Sequence, residues 1–227
     1  MITGVEVVPV RAPLEKDFRG SHYHMTHRAT LVTRVRTSAG VVGEAYAGDE
    51  DATLRQIERI VHEEIAPAVV GHELLATERS WQAGFPATFD ILRDRRIGLV
   101  ALANVDAAIW DAIGKFLGLP LWRLWGGYRK RVPLIAIGGY YGEPIGPIAE
   151  EIAAYRELGL AGIKFKVGGR TPAEDAARVE KARAAAGDEF LIAIDANQGY
   201  STPEALELCG RIRDLAITWF EEPVRWE

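Results

Sequence analysis

The sequence predicts two architectures in succession, an α+β part over residues 1–127 and an α/β part with a parallel sheet over residues 128–227. Three observations predict it. Early on, strand-like runs follow one another directly before any helix, which is the pattern of an antiparallel sheet. Beyond Gly127, strand and helix alternate with a repeat of roughly 26 to 30 residues, the spacing of parallel strands joined by helical crossovers. Two helices of that second part open on matching capping boxes, Thr171-Pro172-Ala173-Glu174 and Ser201-Thr202-Pro203-Glu204. In each, an N-cap hydroxyl and a glutamate three residues on satisfy one another's backbone donors.

In order, residues 2–11 and 29–36 read as strands, and Ser38-Ala39-Gly40 turns the second into a third, Val41 to Tyr46. Between the first two, Ala12 to Arg28 reads as a long loop holding three of the five histidines. Residues 52–65 and 73–82 have amphipathic periodicity, and 98–117 is a largely apolar helix ending at Gly118 before Pro120. The second part reads as strand 132–137, helix 147–158, strand 162–167, helix 172–186, strand 190–195, helix 203–214 and strand 217–221. Such a repeat builds either an open doubly wound sheet or a (β/α) barrel. No Gly-x-Gly-x-x-Gly follows a strand, which counts against a dinucleotide fold.

A chain of 227 residues with 48% hydrophobic and 26% charged residues can bury a substantial core. Its net charge of -5, with scattered basic residues, argues against nucleic-acid or anionic-membrane binding and favours a small-molecule partner. No run reaches the ~20 apolar residues of a membrane span. The single cysteine, Cys209, excludes an internal disulfide, suits a reducing cytoplasm, and reads as a small buried apolar residue on its helix.

The chemistry centres on Lys164 and Lys166, one residue apart in the run Gly162 to Gly168. On a strand they share one face, while Ile163, Phe165 and Val167 take the other. Desolvation and mutual repulsion would both favour a neutral amine, so one of them could act as a base. Asp195 and Glu221 end the next two strands, 29 and then 26 residues further on, at the same point of each repeat. In a barrel that places Lys166, Asp195 and Glu221 side by side at the C-terminal face. Two carboxylates there form a hard oxygen site suited to magnesium. Removing a proton α to a carboxylate builds a dianionic enediolate, which needs a divalent cation to absorb its charge and a base to take the proton.

These motifs carry a resemblance. Gly162-Ile163-Lys164-Phe165-Lys166-Val167, Ile194-Asp195-Ala196-Asn197-Gln198 and Trp219-Phe220-Glu221-Glu222-Pro223 resemble the mandelate racemase and muconate-lactonizing branch of the enolase superfamily. So does Asn104 to Lys115 with the Leu119-Pro120-Leu121 and Leu124-Trp125-Gly126-Gly127 that follow. The resemblance implies an enolase-like α+β capping domain over residues 1–127. The first half of a modified (β/α) TIM-type barrel follows over 128–227. It implies Lys166 as base with Lys164 beside it, and Asp195 and Glu221 as the first two of three Mg2+ ligands. Asn197 would lie beside the substrate carboxylate, and the loop with His22 and His24 would fold over the site and select substrate. A third ligand and a second acid/base group would follow beyond residue 227, so the chain is expected to be the leading part of a longer, homo-oligomeric enzyme. The implied reaction is dehydration of a sugar acid or racemization of a hydroxy acid.

Plainer readings stand beside these. Alternating lysines also occur on solvated edge strands, but the apolar opposite face argues otherwise. Asp195 alone could cap a turn, so its role rests on Glu221 standing in register. His22, His24 and His27 have a spacing compatible with zinc but lack further ligands, which favours a polar specificity loop. A barrel lysine can also form a Schiff base, giving a lyase that borohydride would trap, and a non-catalytic chain binding acid sugars is a third reading.

Overall fold

The computed structural model describes residues 1–48, 51–142 and 148–226. Two compact units result: Met1–Pro13 with His27–Lys130, and Leu14–Thr26 with Arg131–Glu227.

The first unit is built on strands β1 (Ile2–Arg19), β2 (His24–Thr37) and β3 (Val42–Tyr46), in a three-stranded sheet of that order. In β2 the inward positions Ala29, Leu31, Thr33, Val35 and Thr37 are buried and their neighbours are not, the alternation expected of a sheet with one covered face. Strands β2 and β3 pair antiparallel with Arg34 opposite Glu44, whose side chains form an ion pair of 2.8 Å. The covering helices are α1 (Leu54–Ile60), which runs through a wider turn at Val61–Ile65 into α2 (Ala66–Val69), then α3 (Thr77–Gly84), α4 (Arg95–Leu117) and the single turn α5 (Leu121–Leu124). Helix α4 starts where the Asp94 carboxylate accepts the Arg96 N–H, and stops at Gly118, whose φ of 65° is a left-handed cap. By length and mean hydropathy α4 could cross a membrane, although Asn104, Asp106 and Asp111 interrupt its apolar run. Its apolar positions are instead spent on the core of this unit, where Ala101, Leu102, Val105, Ala108, Ile109 and Ala112 are buried. Asp111 fixes it to the sheet by accepting the Glu44 N–H at 2.7 Å.

The second unit is a four-stranded parallel sheet in the order β4 (Ile135–Gly138), β5 (Gly162–Lys166), β6 (Leu191–Asp195) and β7 (Phe220–Glu221). Helices α6 (Ile148–Glu157), α7 (Pro172–Ala186) and α8 (Thr202–Arg211) connect them. Ile163, Phe165 and Val167 turn to the helix side with Ile192 and Ile194, forming a core with Val179, Ala182 and Leu208. Both capping boxes are present, with Glu174 bonded back to the Thr171 N–H at 3.1 Å and Glu204 to the Ser201 N–H at 2.9 Å. The strands and helices expected here all form, with shifted ends. The first begins at Ile135 rather than residue 132, and the expected start of the next helix at Pro147 lies outside the described residues.

Two expectations are corrected. The segment 12–28 is not a loop: β1 and β2 extend through it as a hairpin whose tip turns at Gly20 to Tyr23, with the Gly20 N–H bonded to the Tyr23 carbonyl. Its sequence is polar and contains Pro13, so no alternation announces it; contacts within the second unit hold it extended. Cys209 is exposed, because the buried stripe of α8 is Ala205, Leu208 and Ile212, and the next residue after Leu208 points about 100° away on a helix of 3.6 residues per turn.

Candidate active site

The candidate functional groups stand on one rung of the parallel sheet. Lys166 pairs with Asp195 across β5 and β6, and Asp195 pairs with Glu221 across β6 and β7. Because neighbouring strands in register present the same face at the same rung, all three side chains emerge together at the strands' C-terminal ends.

There they touch. Lys166 Nζ donates to Asp195 Oδ2 and to Asn197 Oδ1, each at 2.8 Å. Lys164 Nζ lies 3.0 Å from the same Asp195 oxygen and donates to Glu221 Oε1 at 2.8 Å. Asp195 is 1% exposed and Lys166 5% exposed, so that pair is nearly dry, while the Glu221 side chain is 39% exposed. The Asp195 Oδ1 accepts the Asn197 N–H at 2.9 Å, which folds the chain back after β6 and puts Asn197 in a left-handed conformation with φ of 45°. The sequence-predicted Lys164, Lys166, Asp195, Glu221 and Asn197 therefore form one connected group.

Their electrostatics differ from the sequence expectation in one respect. Burial opposes the charge on Lys164, but the hydrogen bonds it donates to Glu221 and Asp195 outweigh that and hold its pKa above the ordinary lysine value. Burial likewise opposes the Asp195 charge, and the hydrogen bonds from Lys166, the Asn197 N–H and Lys164 overcome it, leaving the carboxyl below its ordinary value. Two ammonium groups did imply repulsion; a carboxylate oxygen placed between them turns it into attraction.

The hairpin tip contributes groups that the sequence reading missed. The Tyr23 ring centroid lies 5.6 Å from Lys166 Nζ and that of Tyr140 lies 5.9 Å away, flanking the amine with two π faces. Phe18 packs on Tyr140 with centroids 4.8 Å apart. Ser21 Oγ donates to the Ala196 carbonyl at 2.7 Å, and the Tyr141 N–H to the Arg19 carbonyl at 2.9 Å. In the sequence only Phe18 and Tyr23, two aromatic residues five positions apart in a polar stretch, stand out, which is too little to place the tip at the site. His22 and His24 are exposed on the tip, and His24 Nε2 sits 2.6 Å from Asp17 Oδ2 across the hairpin. The structure does not bring these two histidines into the lysine–carboxylate group, and the described residues contain no cluster of three or more His, Cys, Asp or Glu side chains that would hold a metal.

The donor chemistry fits magnesium nonetheless. Asp195 Oδ2 and Glu221 Oε1 converge on one point, the Lys164 ammonium, so a small cation would meet both. Mg2+ characteristically takes one or two protein carboxylates and keeps water for the rest.

Comparison with known proteins decides the family. Residues 2–126 match the model for the mandelate racemase / muconate lactonizing enzyme N-terminal domain, and residues 147–227 match that of the enolase C-terminal-like domain. The chain belongs to the mandelate racemase/muconate lactonizing enzyme family of the enolase superfamily. Arabinonate dehydratase of Saccharolobus solfataricus is 35% identical over 200 residues, covering 86% of this chain and 52% of that protein. A crystal structure of a mandelate racemase/muconate lactonizing enzyme superposes with a TM-score of 0.95 at 64% identity, over 100% of this chain and 61% of the other. A second, from a marine actinobacterium in complex with magnesium, gives 0.90 at 60% identity, over 100% and 60%. The chain thus spans between half and two thirds of the length of these relatives. Its curated relatives include sugar-acid dehydratases, racemases, epimerases and cycloisomerases.

Proposed function

We propose that this chain carries the proton-abstracting half of a magnesium-dependent active site acting on a sugar acid, with Lys166 as the base and loss of water as the outcome. The observation that carries the reading is the single rung on which Lys166, Asp195 and Glu221 stand, with Lys164 and Asn197 bonded into it. Asp195 and Glu221 would hold the metal. Bound there, magnesium would supply positive charge to offset the charge that develops on the substrate carboxylate.

The chain's own residues do the rest. The Lys166 amine, fixed on a strand and flanked by Tyr23 and Tyr140, takes the α-proton at Nζ. Lys164, charged and adjacent, stabilises the negative charge that develops on the substrate's carboxylate as the proton leaves. Asn197, whose backbone is fixed by Asp195, has an amide that can donate to the same carboxylate while its oxygen orients Lys166. The aromatic hairpin tip excludes water from the amine. Dehydration is favoured over racemization by the 35% identity to a dehydratase.

Incubating the full-length gene product with a panel of aldonic and aldaric acids tests this. The expected result is a magnesium-dependent α-keto product, lost in EDTA and restored by added magnesium. Borohydride inactivation in the presence of substrate, with activity indifferent to EDTA, would instead indicate Schiff-base chemistry.

A further inference from the structure

Asp175 belongs to none of the groups described so far, yet it is fully buried and accepts hydrogen bonds from four donor residues. It lies in the first turn of α7. Its oxygens accept from the Tyr141 hydroxyl at 2.7 and 2.8 Å, the Tyr200 hydroxyl at 2.7 Å, the Gly168 N–H at 2.9 Å and Arg178 Nη1 at 2.8 Å. Arg178 passes the linkage on: Nη1 donates to the Lys166 carbonyl and Nη2 to the Gly139 carbonyl, each at 2.8 Å. Its guanidinium packs 4.6 Å from the Phe165 ring centroid and 4.2 Å from that of Tyr141. Tyr141 also accepts the Gly169 N–H at 2.9 Å.

The partners are distributed in a particular way. Gly139 and Tyr141 follow β4, Gly168 and Gly169 follow β5, and Tyr200 follows β6. One carboxylate and one guanidinium therefore tie the ends of three successive strands, and one of the tied atoms is the backbone carbonyl of Lys166 itself. Hydrocarbon of similar volume would often give as much stability as a buried ion pair, because both charges must be desolvated. What hydrocarbon cannot give is direction. The loop after β5 has little freedom of its own to spare: Gly168 has φ of 87°, and a Cβ there would come 2.8 Å from the Ala196 carbonyl oxygen.

We infer that Asp175 with Arg178 is a positioning unit for Lys166, holding the end of β5 against β4 and β6 so that the amine stays aimed at Asp195 and Asn197. The kinetic consequence rests on the proton-abstraction reading above; the structural consequence does not.

The test uses Asp175→Asn and Arg178→Lys in the full-length gene product. Asparagine keeps the size but removes the charge and one acceptor; lysine keeps the charge but cannot reach both carbonyls. Misplacing a catalytic group by 1 Å costs on the order of 10²-fold in rate, so kcat for α-proton removal should fall by about that factor with KM changed by no more than about twofold. Independently of activity, competitive reductive methylation should label Lys166 several-fold faster relative to the exposed Lys181. A merely structural role would lower Tm and leave kcat and Lys166 labelling unchanged below the transition, and that result would overturn the inference. If Asp175→Asn does not fold, Tyr141→Phe and Tyr200→Phe carry the test, each removing one donor while keeping the ring, with a smaller effect in the same direction. If the unaltered protein removes no α-proton, the proton-abstraction reading falls. The labelling then decides alone: a faster Lys166 upholds the positioning role and an unchanged one refutes it.

Discussion

Replacing Asp195 by Asn tests how the charges of the site hold one another. The substitution keeps size and shape and retains an oxygen for the Asn197 N–H, but leaves two lysine side chains without the carboxylate that both contact at 2.8 and 3.0 Å. Removing one partner of a buried ion pair typically costs 3–5 kcal/mol; here Lys164 keeps Glu221 and Lys166 keeps Asn197, so the lower end applies, about 3 kcal/mol. Urea unfolding at pH 7, read by tryptophan fluorescence, measures it. The pH dependence follows from the sign of the shift. The Asp195 carboxyl is held below its ordinary value in the fold, so its contribution is fully present above the unfolded-state pKa of about 3.9 and disappears as pH falls through the lower folded-state value. The gap between the two proteins should therefore close in strong acid. A variant within about 0.5 kcal/mol of the parent at pH 7, the scatter of ordinary surface substitutions, with no convergence in acid, would refute the reasoning.

Three further outcomes are expected. Gly43→Ala should destabilise the first unit by about 1–3 kcal/mol, since the new Cβ would collide with the Ala108 carbonyl and the Ala112 backbone of α4, and a thermal melt reads it. Cys209, exposed on α8, should react stoichiometrically with a thiol reagent in the native state at the rate of a free thiol, and protection until unfolding would contradict the placement. Magnesium at about one hundred times its dissociation constant should add about 2.7 kcal/mol, raising Tm by about 5 to 10 °C, and Glu221→Gln should remove most of that shift.

The parallel sheet and the shared rung of the candidate residues were legible because both follow from local arithmetic. Strand parity put Lys164 and Lys166 on one face, repeat spacing aligned Asp195 and Glu221 with them, and the two capping boxes pinned the helices between. The hairpin tip was not legible, since what extends it is the partners of Phe18, Arg19 and Ser21 more than a hundred residues away in sequence. The raised pKa of Lys164 was not legible for a related reason: parity shows that two amines share a face, but not that a carboxylate oxygen sits between them. Asp175 left a usable trace. It occupies the same helical stripe as Val179, Ala182 and Ala186, all buried, and an acid on such a stripe demands partners. Those partners, Tyr141 and Tyr200, are 34 and 25 residues away and could only be found in three dimensions.

The central claim is that Lys166 takes a proton from carbon, and solvent deuterium reports it without knowledge of the final product. With a sugar acid that the full-length protein accepts, magnesium and D2O, mass spectrometry of the recovered substrate and product should show deuterium at the α-carbon or loss of the α-hydrogen. Lys166→Ala should abolish this while magnesium still raises Tm. Retention of exchange in Lys166→Ala would assign the base elsewhere and contradict the account.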